Sequence, residues 1–141
     1  MELTRVYPFS ASHRLHADSL SEEENQRLFG KCNNPYGHGH NYVLHLTVAG
    51  EASEDSGMIV AREAVDRVVN EAVLPRIDRK DMNAAVKEFA DLTPTTENLA
   101  RVIGGWLSAA WPAHFAGGEP RLRKIRLQET GRNTFELRMD L

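Results

Sequence analysis

Residues 3–15 alternate between apolar and polar, and Leu3, Tyr7, Phe9, Ala11, His13 and Leu15 share one parity. An extended chain puts that set on one face, which predicts a strand. Pro8 falls on the other parity and has no N–H to give a ladder, so it predicts a sheet edge or a bulge. Residues 18–31 are polar and carry Ser21 and three consecutive glutamates; they read as a loop with room for a short helical turn. Residues 33–37, NNPYG, are turn chemistry. Alternation resumes over residues 38–50, with Tyr42, Leu44, Leu46 and Val48 on one face and His45 and Thr47 on the other.

The period then changes. Over residues 58–74, Val65, Val68, Val69, Ala72 and Val73 make a one-sided helical stripe bounded by Pro75. Thr95 or Thr96 is a natural N-cap for a second helix, with Glu97 at its positive end. Leu99, Val102, Ile103, Trp106, Leu107 and Ala110 form its stripe, and Pro112 and Gly117-Gly118 end it. Two strands follow, over residues 122–130 and 135–139, joined by a turn at 131–133. The order β-β-α-α-β-β predicts an α+β domain spanning 1–141: a four-stranded antiparallel sheet with both helices on one face. Val43, on the other face, hints that another subunit covers that side.

The 141 residues amount to one domain. Lys and Arg total 17 against 20 Asp and Glu, a net charge of −3, which argues against a nucleic-acid partner. No apolar run approaches the ~20 residues of a membrane helix. The N-terminal residues lack a secretory signal. Cys32 is the sole cysteine, which points to a reducing cytoplasm.

The chemistry concentrates in the histidines. His38 and His40 sit at i and i+2 of a predicted strand, so they face the same way about 6.5–7 Å apart. That spacing lets two imidazoles converge on one metal ion. His13 lies on the parity of Phe9 and Ala11, so pairing of the first two strands brings a third imidazole to the same place. Three histidines with a vacant position make a catalytic kind of zinc site. A bare His-x-His is more often incidental, but Cys32 six residues before His38 shifts the balance. That thiol can be a fourth ligand, an inert buried group, or a base beside the metal. His16, His45 and His114 show no comparable spacing.

Residues 9–16 (FSASHRLH), 29–42 (FGKCNNPYGHGHNY), 95–100 (TTENLA) and 128–130 (QET) resemble, in order and over essentially the whole chain, the 6-pyruvoyl-tetrahydropterin synthase family. The related 6-carboxy-tetrahydropterin synthases of queuosine biosynthesis share the fold and the zinc site. The five-residue gap between Cys32 and His38 resembles the pyruvoyl branch, that of tetrahydrobiopterin biosynthesis. The resemblance implies the tunnelling fold, in which subunits join their sheets into a barrel, as a homohexamer of two trimers with interfacial active sites. It implies Zn2+ on His13, His38 and His40, Cys32 as catalytic base, Asp78 working with that cysteine, and Glu129 as the carboxylate that anchors the pterin. Thr95, Thr96 and Glu97 lie where the family also contacts that ring. The implied reaction takes 7,8-dihydroneopterin triphosphate, eliminates triphosphate and redistributes hydrogens along the side chain without an external redox cofactor.

The bland alternatives are a solvated strand end for Glu129 and plain helix capping for the threonines. Arg14 and Lys31 are candidates for the triphosphate, or simply solvated cations. One position departs from the family. The family carries Asp-His where this chain has Asp78-Arg79, and a guanidinium stays protonated and cannot relay a proton. Arg79 can instead stabilise a thiolate, pair with Asp78, or bind phosphate.

Overall fold

The computed structural model describes residues 1–139. Strand β1 (Glu2–His13) and strand β2 (His38–Ala49) pair antiparallel along their whole length, from Glu2↔Ala49 to His13↔His38. β4 (Arg121–Gln128) pairs with β2, and β5 (Thr134–Arg138) pairs with β4. A two-residue strand β3 (Lys80–Asp81) adds parallel to β1 at Ala11 and Ser12, giving the open order β3-β1-β2-β4-β5. That fifth strand lay below what alternation can reveal, since two residues carry no period.

The helical stripes do what their spacing predicts. α2 (Arg62–Ala72) buries Val65, Val68 and Val69, and α5 (Thr96–His114) buries Leu99, Ile103, Leu107 and Trp111. Both lie on the sheet face that carries Phe9, Leu44, Leu46, Val48, Ile125 and Leu127. The chain bends at Val73 and resumes as the short α3 (Leu74–Ile77) with Pro75 in its first turn, where a missing N–H is harmless. Pro112 does not end α5; it sits in the last turn, and the Phe115 N–H closes the helix on the Trp111 carbonyl at 2.8 Å. The polar stretch expected to be a loop contains an eight-residue helix, α1 (Glu22–Phe29). α4 (Met82–Ala85) completes the set.

Pro8 lies where β1 has no second neighbour, as its chemistry requires. The Ser10 N–H and C=O both point away from β2, to the Asp78 carboxylate and the Arg79 N–H. Pro8 shares that parity, so its missing donor faces the open edge and costs the β1–β2 ladder nothing. The sheet face opposite the helices carries the Thr4–Thr47 hydroxyl pair at 2.7 Å, the Lys124–Glu136 ion pair at 3.6 Å, and Val6, 53% exposed. Among the described residues, no layer covers it.

Candidate functional site

The β1–β2 ladder sets His13 directly opposite His38, and His40 opposite Ala11. Opposed residues in an antiparallel pair point to the same face, so all three imidazoles stand on the helix side. The rings pack edge to face, with centroids 5.0 Å apart for His13 and His40 and 4.8 Å for His38 and His40. Cys32 comes in from the turn of 3-10 helix Gly30–Asn33, fixed by the Leu15 N–H to Cys32 carbonyl bond at 2.7 Å. Gly37 permits the return into β2. Its φ is +79°, and a Cβ there would meet the His13 carbonyl oxygen at 2.8 Å.

The donor atoms of His13, Cys32 and His40 lie within 4.8 Å of one another, an arrangement that can hold a metal ion. Cys32 Sγ is 3.8 Å from His40 Nε2. His38 is one ring further out, packed on His40 but outside that tightest group. His13 is 1% exposed, and its Nδ1 sits 2.8 Å from the Pro94 carbonyl oxygen. A carbonyl can only accept, so Nδ1 carries the proton and donates it, and Nε2 is left with a lone pair. That Nε2 is buried and has no hydrogen-bond partner among the described residues. An orphaned imidazole nitrogen whose tautomer is fixed by a backbone carbonyl is the arrangement of a metal ligand. Burial pushes the His13 and His40 imidazoles below their usual range, which favours the neutral, ligating form. Burial, helped by the Glu129 charge, pushes the Cys32 thiol up.

Glu129 follows β4 and stands half-buried beside the cluster. Thr96, 2% exposed, donates its hydroxyl proton to Glu129 Oε2. Thr95 is the N-cap of α5, accepting from the Asn98 N–H at 3.2 Å. The two threonines therefore divide the roles, one capping and one holding the carboxylate. Glu97 is exposed in the first turn of α5.

Asp78 is not brought to Cys32 within one chain. Its carboxylate accepts from the Ser10 N–H at 3.0 Å on the outer edge of β1, while the Arg79 N–H donates to the Ser10 carbonyl at 2.6 Å. Arg79 is exposed with φ +61°, and among the described residues no ion pair joins it to Asp78. Arg79, with Ser10, Ser12 and Lys80 on that edge and Gly39 and Asn41 of β2, lines a pocket of about 350 Å³. Ser10, Ser12 and Asn41 share the parity of the sheet face opposite the helices, and Ala11 and His40 also line this pocket. Arg14 is held by Asn83, which bonds its N–H and carbonyl at 2.7 and 3.1 Å, and its Nε donates to the Asn33 carbonyl at 3.3 Å; Lys31 is exposed. Of the remaining histidines, His114 pairs with Glu71 at 3.3 Å and His16 sits against Asn33 and Asp18. Pro94 carries no signal in the sequence, and Tyr42 shows there only as a core position.

A family model described as 6-pyruvoyl tetrahydropterin synthase matches residues 2–140. The 6-pyruvoyl tetrahydrobiopterin synthase of Poecilia reticulata is 42% identical over 93% of this chain and 85% of its own length. That of Homo sapiens is 41% identical over 94% and 87%. The solved 6-pyruvoyl tetrahydropterin synthase of Caenorhabditis elegans superposes with a TM-score of 0.85 at 33% identity, covering 99% of this chain and 96% of that one.

Proposed function

Because the chain belongs to the 6-pyruvoyl tetrahydropterin synthase family, we propose that it is a zinc-dependent lyase. The reaction converts 7,8-dihydroneopterin triphosphate to 6-pyruvoyl-tetrahydropterin with elimination of triphosphate. The observation that carries the metal-dependent reading is the buried, partnerless Nε2 of His13, facing His40 and Cys32 with its tautomer fixed by Pro94.

In this reading His13, His38 and His40 hold the zinc, and the donor set suits it, three imidazole nitrogens with a thiol alongside. Bound zinc supplies Lewis acidity, which lowers the cost of removing protons next to side-chain hydroxyls of the substrate. The chain's own residues do the rest. Glu129, steadied by Thr96, accepts paired hydrogen bonds from the amino and ring N–H edge of the pterin and sets its orientation. Cys32 is the base that takes up and returns a proton along the side chain. Burial raises its pKa, so a positive charge brought near it is what makes thiolate available. Asp78 and Arg79 sit on an open strand edge of their own chain, and they reach a thiol only from a neighbouring copy. That supports interfacial sites in a homohexamer of two trimers. The free Cys32 thiol suits a reducing cytoplasm.

Arg79 favours a second reading, a pterin-binding homologue with reduced turnover or a different product, because arginine cannot pass a proton as histidine does. Mass spectrometry of the products from 7,8-dihydroneopterin triphosphate, zinc and purified protein separates the two. We expect 6-pyruvoyl-tetrahydropterin and free triphosphate. Unchanged substrate, or a pterin with a carboxyl or truncated side chain, defeats the first reading.

A further inference from the structure

Among the described residues, two buried side-chain atoms lack a hydrogen-bond partner, His13 Nε2 and Tyr42 Oη, and both belong to the same corner of the sheet. A metal accounts for the first. The second has no such account, because a neutral phenol beside the His40 ring is a hydrogen-bond donor that needs an acceptor. Tyr42 is fully buried, and its ring is clamped. It stacks on Phe9 at 5.0 Å and 11°, and meets the His40 ring edge to face at 5.6 Å. The phenol therefore has one direction in which to point.

That direction is set by the ladder. β2 and β4 pair Val43 with Gln128, so the next step along the register puts Tyr42 beside Glu129, with Phe9 on its other flank. Burial above all keeps the phenol protonated and therefore a donor, and the Glu129 carboxylate, the Cys32 thiol and the Thr96 hydroxyl are the polar groups near it, none of them bonded to it. Thr96 already spends its own proton on Glu129 Oε2. A carboxylate has about four lone-pair positions, and one donor does not fix its rotation. Two ligand N–H groups can be met together only if both oxygens lie in one plane. A second donor from behind the carboxylate fixes that plane. If Tyr42 were only core filling, phenylalanine would stack on Phe9 equally well without burying an unsatisfied hydroxyl.

We infer that Tyr42 is a positioning residue for the Glu129 anchor, its hydroxyl donating to the Glu129–Thr96 pair when a pterin draws the carboxylate into the site. This rests on the anchoring role proposed above for Glu129. The test uses the zinc-loaded full chain and biopterin, an oxidised pterin that is not a substrate, with binding followed by fluorescence. Tyr42→Phe is expected to weaken biopterin about five- to tenfold, with zinc content unchanged and Tm equal or higher. KM for dihydroneopterin triphosphate rises by a similar factor while kcat stays within about twofold. In a cycle with Glu129→Gln, the double variant binds no worse than Glu129→Gln alone, because the hydroxyl acts through that carboxylate. Unchanged affinity in Tyr42→Phe, or losses that multiply in the double variant, overturns the inference. A lowered Tm with unchanged KM does the same by making Tyr42 structural. A wild-type protein that binds no biopterin overturns the anchor reading together with this one.

Discussion

Cys32 is the residue on which two chemistries diverge, since its Sγ belongs to the same tight group as the donors of His13 and His40. If it is the base, Cys32→Ala keeps its zinc, and kcat falls by roughly 10²–10⁴, the usual worth of a positioned acid–base group. If it is a ligand, the metal leaves with the thiol. We expect retained zinc and lost turnover, read by metal analysis and by product formation on the same sample. This residue scale was the most legible part of the sequence. His-x-His on a strand fixes two ring directions by parity alone, and His13 follows from the parity of Phe9 and Ala11. The Pro94 carbonyl that sets the His13 tautomer was not legible, because any residue supplies a carbonyl and only the fold brings it there. Tyr42 was hidden for a different reason. Its parity announced a core position, and periodicity says nothing of where a buried hydroxyl points.

At the scale of elements, β1 is tied to α2 through one acid. Arg5 donates to both oxygens of Asp66 at 3.0 and 2.8 Å, and Tyr7 adds its hydroxyl at 2.6 Å. These hydrogen bonds, that from Arg5 first, hold the Asp66 carboxyl below the usual carboxylate range. A carboxylate depressed in the folded state contributes stability above its unfolded pKa of about 3.9 and loses it as pH falls through the folded value. Asp66→Asn is therefore expected to lower stability by about 1 kcal/mol near neutrality, or roughly 3–6 °C in Tm, chiefly by weakening the acceptor of the buried Tyr7 hydroxyl. The gap to wild type should close below about pH 4. Thermal melts of both proteins from pH 7 to pH 3 check it, and a gap that widens in acid contradicts the assignment. The long elements were legible because their apolar stripes run for several turns. α1 was missed although its start signal was present. Ser21 caps the Glu24 N–H at 3.1 Å and three glutamates fill the first turn, a capping pattern that outweighs low hydrophobicity.

For the whole molecule, the unresolved demand is the two sheet edges. Among the described residues, β1 from Glu2 to Phe9 and all of β5 have one neighbour each, and no layer covers the face between them. Long open edges are templates for pairing with another chain. The sequence indicated this only through Pro8 and Val43, because an edge is defined by what the fold fails to place beside it. If β1 pairs with β5 of the next copy, sheets join into a closed barrel and the Asp78–Arg79 edge of one copy is carried to the site of another. Val6 shares the parity of Pro8 and Ser10, so its N–H faces that open edge and takes no part in the β1–β2 ladder. Val6→Pro removes that outward donor alone. We expect wild-type protein to sediment as six copies. The variant should fall to a smaller species that still binds zinc, because His13, His38 and His40 belong to one chain, but that turns substrate over far more slowly. A variant that keeps the full mass places the contact elsewhere, and one that dissociates with activity intact shows that each chain carries a complete site of its own.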